Sequence, residues 1–328
     1  MQALAYRNTI HTIPNWEPLV EKHPRGIAYE TDTHFVHFFG RADELWVVSL
    51  GLTVTEAKTG NLRDWVERTF GATNIVPLDR EVGCTYRGVW RPGLRFDSEI
   101  LEGLKSTSSD LRLAEQSLLL LVQRLDELLH FIEPTATSLD FYSHKSRDLL
   151  VISCMEVENS WNSYLRESNV VKLPRGFTTN DYVRLLEPLF LNEYEINMPR
   201  YIEVPALIPF KGWSNKNPTT SLPWYDAYNK TKHDRNSHFD AATLRNCISS
   251  VAANLVLFAV RFGPFRLYNG QGTLAAYFNQ LFSISLSPEN PKSFYAPQIQ
   301  LRSTHTSNLI CFGSDDLRQA WKCDSLPI

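Results

Sequence analysis

"WYDAYNKTKHDRNSHFDAATLRNCISSVAANLVLFAVRFG", residues 224–263, is the stretch on which the fold turns. Its second half holds the most apolar run of the chain, "VAANLVLFAV" at 251–260, and stops at Gly263-Pro264. That pattern predicts a long helix from about Trp224 or Phe239 through Phe262, ended by the glycine–proline pair. The first half is different in kind. Lys230, Lys232, His233, Arg235 and His238 crowd into one short segment behind a row of aromatics. Such a segment is either a solvated helix end or a place that handles phosphate.

Working outward, "DLRLAEQSLLLLVQRLDELLHFIEP" (110–134) has leucines at helical spacing and stops at Pro134. "HKSRDLLVISCMEVENSWNSYLRES" (144–168) predicts a second long helix, and "TTNDYVRLLEPL" (178–189) a third, opened by Thr or Asn and ended before Pro188. Residues 190–223 predict a long irregular connection of the sort that is often functional. Residues 1–96 lean towards strands. "GIAYETDTHFVHFF" and "DELWVVSLGLTV" alternate apolar and polar positions and predict a hairpin or meander. "NLRDWVERTFG" (61–71) predicts a short amphipathic helix with Leu62, Trp65, Val66 and Phe70 on one side, closed by Gly71, and "GCTYRGVWRPG" one more strand. In the tail, "QGTLAAYFNQL" and "SDDLRQAWK" suggest helices and "FSISL" and "SNLICFG" strands. The expected fold is α+β, mainly α: a small α+β N-terminal region (1–96), a helical bundle (97–263) and a mixed α/β appendage (264–328).

The 328 residues, 43% of them hydrophobic and 12% aromatic, suffice for about two packed domains. A net charge of −3 gives no global attraction to nucleic acid, so RNA binding must come from a local patch. Cys84, Cys154, Cys247, Cys311 and Cys323 form no CxxC pair and predict reduced thiols of a cytoplasmic protein. The segment "MQALAYRNTIHTIPNW" lacks the basic and apolar blocks of a signal peptide, and the apolar run at 251–260 falls short of the roughly 20 residues that span a bilayer, so no membrane partner is expected. The motifs of P-loop NTPases, Rossmann enzymes, serine hydrolases and zinc proteases are missing, and neither a metal nor an organic cofactor is expected. His34 and His37 face opposite sides of a strand and make a poor metal pair.

The remaining chemistry is around His233. On a helix Asn229 and His233 share a face, with Lys232 and Arg235 beside it. An imidazole can give or take a proton near neutral pH, and Lys or Arg can stabilise the extra charge of a phosphorane. These are the residue types of a metal-independent RNA-cleaving site, with Lys230 and His238 placed to meet RNA. Glu156 and Glu158 point about 160° apart on their helix and are not a catalytic pair. One of them, Glu158 by its alignment with Arg147 and Val151, would reach the His233 helix and hold the imidazole or a lysine, or else form an ordinary surface ion pair. Lys211 and Trp213 in "PFKGWSNKNP" suit phosphate contact and base stacking, or, for Trp213, plain anchoring of the loop. Arg124 and His130 also stand at a suggestive spacing, but six residues turn them roughly 120° apart.

The block over about 100–263 resembles the HEPN superfamily, helical domains named for higher eukaryotes and prokaryotes nucleotide-binding. The family motif is Arg, a polar residue, three further residues and His, near the start of the last long helix. Asn229 and His233 match it, and Tyr228 stands at the Arg position. Lys232 or Arg235 would supply the missing charge from the same surface. The resemblance implies a homodimeric endoribonuclease, a toxin or phage-defence effector with a regulatory partner protein. Its reaction would be attack of an RNA 2′-hydroxyl on the adjacent phosphate, with His233 as acid and base. The alternative is a catalytically inactive HEPN-like binding or dimerisation module, with the small residues Ala241, Ala242, Ala252 and Ala253 serving close helix contact. A third reading puts function in a ligand-binding N-terminal β-region.

Overall fold

A computed structural model describes residues 1–10, 12–13, 16–20, 24–40, 45, 48–95, 97–171, 174, 176–233, 237–301, 309–310 and 319–328. The chain begins with β1 (Gln2–Arg7), β2 (Thr12–Ile13), β3 (Trp16–Val20), β4 (Arg25–Glu30), β5 (His34–Gly40) and β6 (Val48–Ala57). It continues through α1 (Leu62–Phe70), β7 (Thr73–Glu81), β8 (Cys84–Tyr86) and α2 (Asp97–Leu104). Then come α3 (Ser108–Leu129), α4 (His144–Glu167), α5 (Thr179–Tyr182), β9 (Tyr194–Asn197), α6 (Pro223–His233) and α7 (Leu244–Phe262). The last are α8 (Phe265–Tyr268), α9 (Thr273–Leu281), β10 (Ser283–Leu286), β11 (Leu309–Ile310) and β12 (Lys322–Asp324). The fold is mixed α and β.

These elements form two compact units. Met1–Lys105 and Glu289–Asp324 make the first, Ser106–Pro288 and Ser325–Ile328 the second. This differs from the expected division into 1–96, 97–263 and 264–328. Helix α2 belongs to the β-rich unit, and the tail is shared between the two. The cause is pairing over long sequence distances: β12 pairs in parallel with β8, and β10 antiparallel with β9. Local patterns carry no trace of such partners.

In the first unit an antiparallel sheet runs in the order β11-β6-β5-β4-β1-β7. Helix α1 covers one face with the expected stripe of Leu62, Trp65, Val66 and Phe70. It opens on Asn61, whose side chain accepts from the Asp64 amide, and closes on Gly71 in the left-handed region at φ 58°. Trp65 stacks on Phe35 at 5.1 Å, and Phe70 on His37 at 3.7 Å. The other face packs Tyr29 against Phe38, and the Tyr29 hydroxyl accepts from the Ile299 amide at 3.0 Å. β5 is therefore buried on both sides, which is why "HFVHFF" carries apolar residues at both strand parities. The expected strand over "GCTYRGVWRPG" extends only from Cys84 to Tyr86.

In the second unit α3, α4 and α7 pack together, joined by α6 and α9. Helix starts follow the sequence signals: Thr107 caps α3, a Ser143–Ser146 capping box opens α4, and Thr243 caps α7. Small and hydroxylated residues let α4 and α7 approach closely. Ser153 and Ser250 share a 2.6 Å hydrogen bond, and the Asn254 amide donates to the Ser153 and Ser250 carbonyls at 2.9 Å each. Ala242, Ala252 and Ala253 are fully buried and serve the packing of this unit, while Ala241 is only half-buried. α7 is long and apolar enough to cross a membrane by length and composition, but 78% of its most apolar window is buried inside the protein, as in a core helix.

Three expected helices change shape. The first stops at Leu129, short of Pro134. The third is four residues, Thr179–Tyr182, followed by a three-ten turn, Val183–Leu185. The last is broken: α6 ends at His233, a three-ten turn spans Phe239–Ala241, and α7 starts at Leu244. The expected irregular connection at 190–223 contains β9, whose partner lies in the tail. "SNLICFG" supplies β11, while most of "SDDLRQAWK" lies outside the described residues.

Candidate active site at the end of helix α6

Helix α6 turns Trp224, Tyr225, Ala227, Tyr228 and Thr231 inward and leaves Lys230, Lys232 and His233 exposed. Pro223 suits the first turn, where its missing N–H has no partner to lose. The inward face meets α4 at Glu158. The Tyr225 hydroxyl donates to Glu158 Oε1 at 2.7 Å, and the Tyr228 hydroxyl lies 3.5 Å from Oε2. The Lys232 ammonium donates to the Tyr228 hydroxyl at 2.8 Å and rides over that ring, 4.9 Å from its centre. Tyr182 extends the network: its hydroxyl donates to Asn162 Oδ1 at 3.2 Å, and the Asn162 amide donates to the Glu158 carbonyl at 2.8 Å. A polar chain thus runs from α5 and α4 outward to Lys232, one residue before His233.

The charge states follow from this chain. Burial and the bond to Glu158 push the Tyr225 phenol far above its ordinary range, and burial raises Tyr228, so both stay neutral. The hydrogen bond to Tyr228 raises Lys232, with Glu158 adding to it, so the ammonium holds its proton at every physiological pH.

The other expected site residues fall into three groups. His233 is exposed as the last residue of α6. Asn229 is half-buried and turned back, its amide donating to the Tyr225 carbonyl at 2.9 Å, while Lys230 pairs with Asp226 at 2.6 Å. His238 is half-buried beside the three-ten turn, and Lys211 is exposed on its loop. Arg235 lies outside the described residues. Two expectations are corrected. Trp213 is 4% exposed, stacked on Trp161 at 4.8 Å with its indole N–H on the Pro218 carbonyl, so it anchors the loop and offers no face to a base. Tyr228, placed in the site because it fills the family's Arg position, is fully buried and acts as the seat of Lys232. Glu158 does reach α6, as expected, but holds two phenols and not an imidazole or lysine directly. Sequence reasoning passed over Tyr225. The signal was there: Tyr225, Tyr228 and Lys232, three and then four residues apart, share one helix face.

A separate cavity of about 450 Å³ opens between α3, α4 and α7, lined among others by Leu118, Glu156, Tyr164, Glu167, Phe258 and Arg261. His233 is not among its walls. Arg261 and Glu167 pair there at 2.6 Å. Among the described residues no group of three or more His, Cys, Asp or Glu gathers to hold a metal. No family model, characterised protein or solved structure matches the chain.

Proposed function

We propose that the helical unit is a HEPN-type, metal-independent endoribonuclease of the cytoplasm, a toxin or defence effector acting as a homodimer. The observation that carries this reading is the exposed His233 beside Lys232, whose ammonium is seated on the Tyr228 hydroxyl. The ribose 2′-oxygen attacks the adjacent phosphorus, and the bond to the 5′-oxygen breaks. His233 removes the 2′-proton or delivers one to the leaving oxygen. Two such imidazoles, one from each subunit of the dimer the resemblance implies, divide the two tasks. Lys232, fixed and always protonated, meets the charge that builds on the phosphoryl oxygens. The products are a 2′,3′-cyclic phosphate and a 5′-hydroxyl. The test is incubation of the purified protein with end-labelled RNA in EDTA. Wild type should release cyclic-phosphate ends, His233→Ala should lose roughly 10²–10⁴ in rate, and a 2′-deoxy linkage should resist cleavage.

A second reading also has support. The family's Arg position holds a buried Tyr228, and the Asn229 amide is turned onto its own helix. Both features favour an inactive HEPN-like binding module. In that case wild type and His233→Ala leave RNA equally intact.

A further inference from the structure

Just before α4 and α7 the chain leaves large aromatic rings in solvent. Phe141 is 56% and Tyr142 50% exposed, and Phe239 is half-buried beside them. Tyr142 meets Phe239 edge-on at 5.7 Å, and the His144 ring lies 4.7 Å from Phe239. Their backbone is fixed. The Leu244 amide donates to the Phe141 carbonyl at 2.9 Å, Tyr142 bridges to Thr243, and Ser146 Oγ donates to the Ala242 carbonyl at 2.7 Å. Rings held in place by their backbone while their faces stay wet lose little entropy when something stacks on them. The three-ten turn that carries Phe239 packs against α6, so the cluster belongs to the same end of the unit as His233.

The charges around the rings carry a slight negative excess. Arg245 pairs with Asp140 at 3.2 Å, Lys145 with Glu127 at 2.5 Å, Arg147 with Asp148 at 3.6 Å, and Asp240 adds a further negative charge. A phosphate gains little there, whereas an uncharged base gains an apolar face. Lys232, seated on the Tyr228 hydroxyl beside His233, supplies the positive charge for a phosphate instead. Resting on the ribonuclease reading above, we infer that Tyr142 and Phe239, with His144 against the second ring, form a stacking platform for an unpaired nucleobase of the RNA whose phosphate lies at His233. Bases inside a duplex are already stacked, so this platform makes the substrate single-stranded RNA.

The test uses the full chain and a 2′-O-methyl RNA oligonucleotide, which cannot be cut, followed by fluorescence anisotropy. Wild type and His233→Ala should bind it alike, and its duplex form should bind less tightly. Tyr142→Ala and Phe239→Ala should each weaken binding about tenfold, while Phe239→Trp and Tyr142→Phe should hold affinity. With cleavable RNA the same alanine variants should raise KM and leave kcat unchanged. Circular dichroism melting checks that each variant is folded, and should Phe239→Ala melt early, the more exposed Tyr142 decides. Alanine variants that bind as tightly as wild type, or duplex bound as well as single strand, overturn the platform even if wild type cleaves RNA. Loss of self-association in those variants with RNA affinity intact assigns the surface to a protein partner and overturns it too. Wild type that neither binds nor cleaves RNA defeats the ribonuclease reading itself.

Discussion

At the scale of single residues, the site depends on one hydroxyl. Tyr228 receives Lys232 on one side and faces Glu158 on the other. Tyr228→Phe keeps the ring and removes the seat of the ammonium. On the proposed ribonuclease reading cleavage should fall about tenfold, while the loss of this bond to a charged group costs about 1.5–3 kcal/mol of stability, read by paired rate and urea-melt measurements. Because Lys232 is raised, it stays charged through neutral and mildly alkaline pH, so the pH–rate profile of the proposed reaction should show no step from this lysine there. In the β-rich unit, His37 is fully buried, takes the Tyr6 hydroxyl on Nδ1 and is held below its ordinary pKa by desolvation. An unfolded histidine takes up a proton near pH 6.5, and the folded His37 does not, so the unfolded state binds more protons in acid. Stability of this unit should therefore be full above about pH 6.5 and fall as pH drops below it. Hydrogen exchange of β5 amides at pH 7.5 and 5 measures this, and a flat response would remove His37 as the cause.

At the scale of elements, the contact of α4 with α7 is set by residue size. Ser250→Leu would wedge the helices apart where Ser153 now touches, and should destabilise the helical unit by about 1–3 kcal/mol in urea unfolding. Trp161 lies at the middle of a larger cluster, within 6.4 Å of Tyr182, Phe210, Trp213, Trp224 and Tyr225, and ties the 209–225 loop to α4. Trp161→Ala should cost about 3–5 kcal/mol and disturb α6, and with it His233, more than its distance from the surface suggests. The existence of α1, α3, α4 and α7 was legible from periodicity and caps, because a helix satisfies its hydrogen bonds with near neighbours. The break between α6 and α7 was legible only as an open choice of start, Trp224 or Phe239, since each half keeps a helical pattern and Thr243 is only one of several polar residues able to cap it.

At the scale of the whole molecule, the helical unit interrupts the chain of the β-rich unit. Residues 106–288 leave and return between Lys105 and Glu289. A protein of residues 106–288 should fold alone, with a cooperative helical melt by circular dichroism. Residues 1–105 alone lack β11, β12 and the Tyr295 that donates to the Val89 carbonyl at 2.8 Å, and should fail to give a cooperative transition. Gly93 belongs to the same closure: at φ 120° it lies so near the Tyr295 carbonyl that a Cβ would come within 2.1 Å. Removal of residues 1–96, the border suggested by composition, cuts through this unit and strands α2 and β12.

By itself the sequence determined the mixed architecture, the existence of the long helices, the α1 stripe, and the segment in which His233, Lys232 and Asn229 stand, because each is written in residues close together in the chain. Only the tertiary structure decided that Glu158 holds Tyr225 and Tyr228, that Lys232 rests on Tyr228, that Trp213 is sealed away, and that the tail is shared between two units. Those outcomes depend on which distant surfaces exclude water together, and a linear pattern of residue types does not encode a partner that lies 70 or 206 positions away.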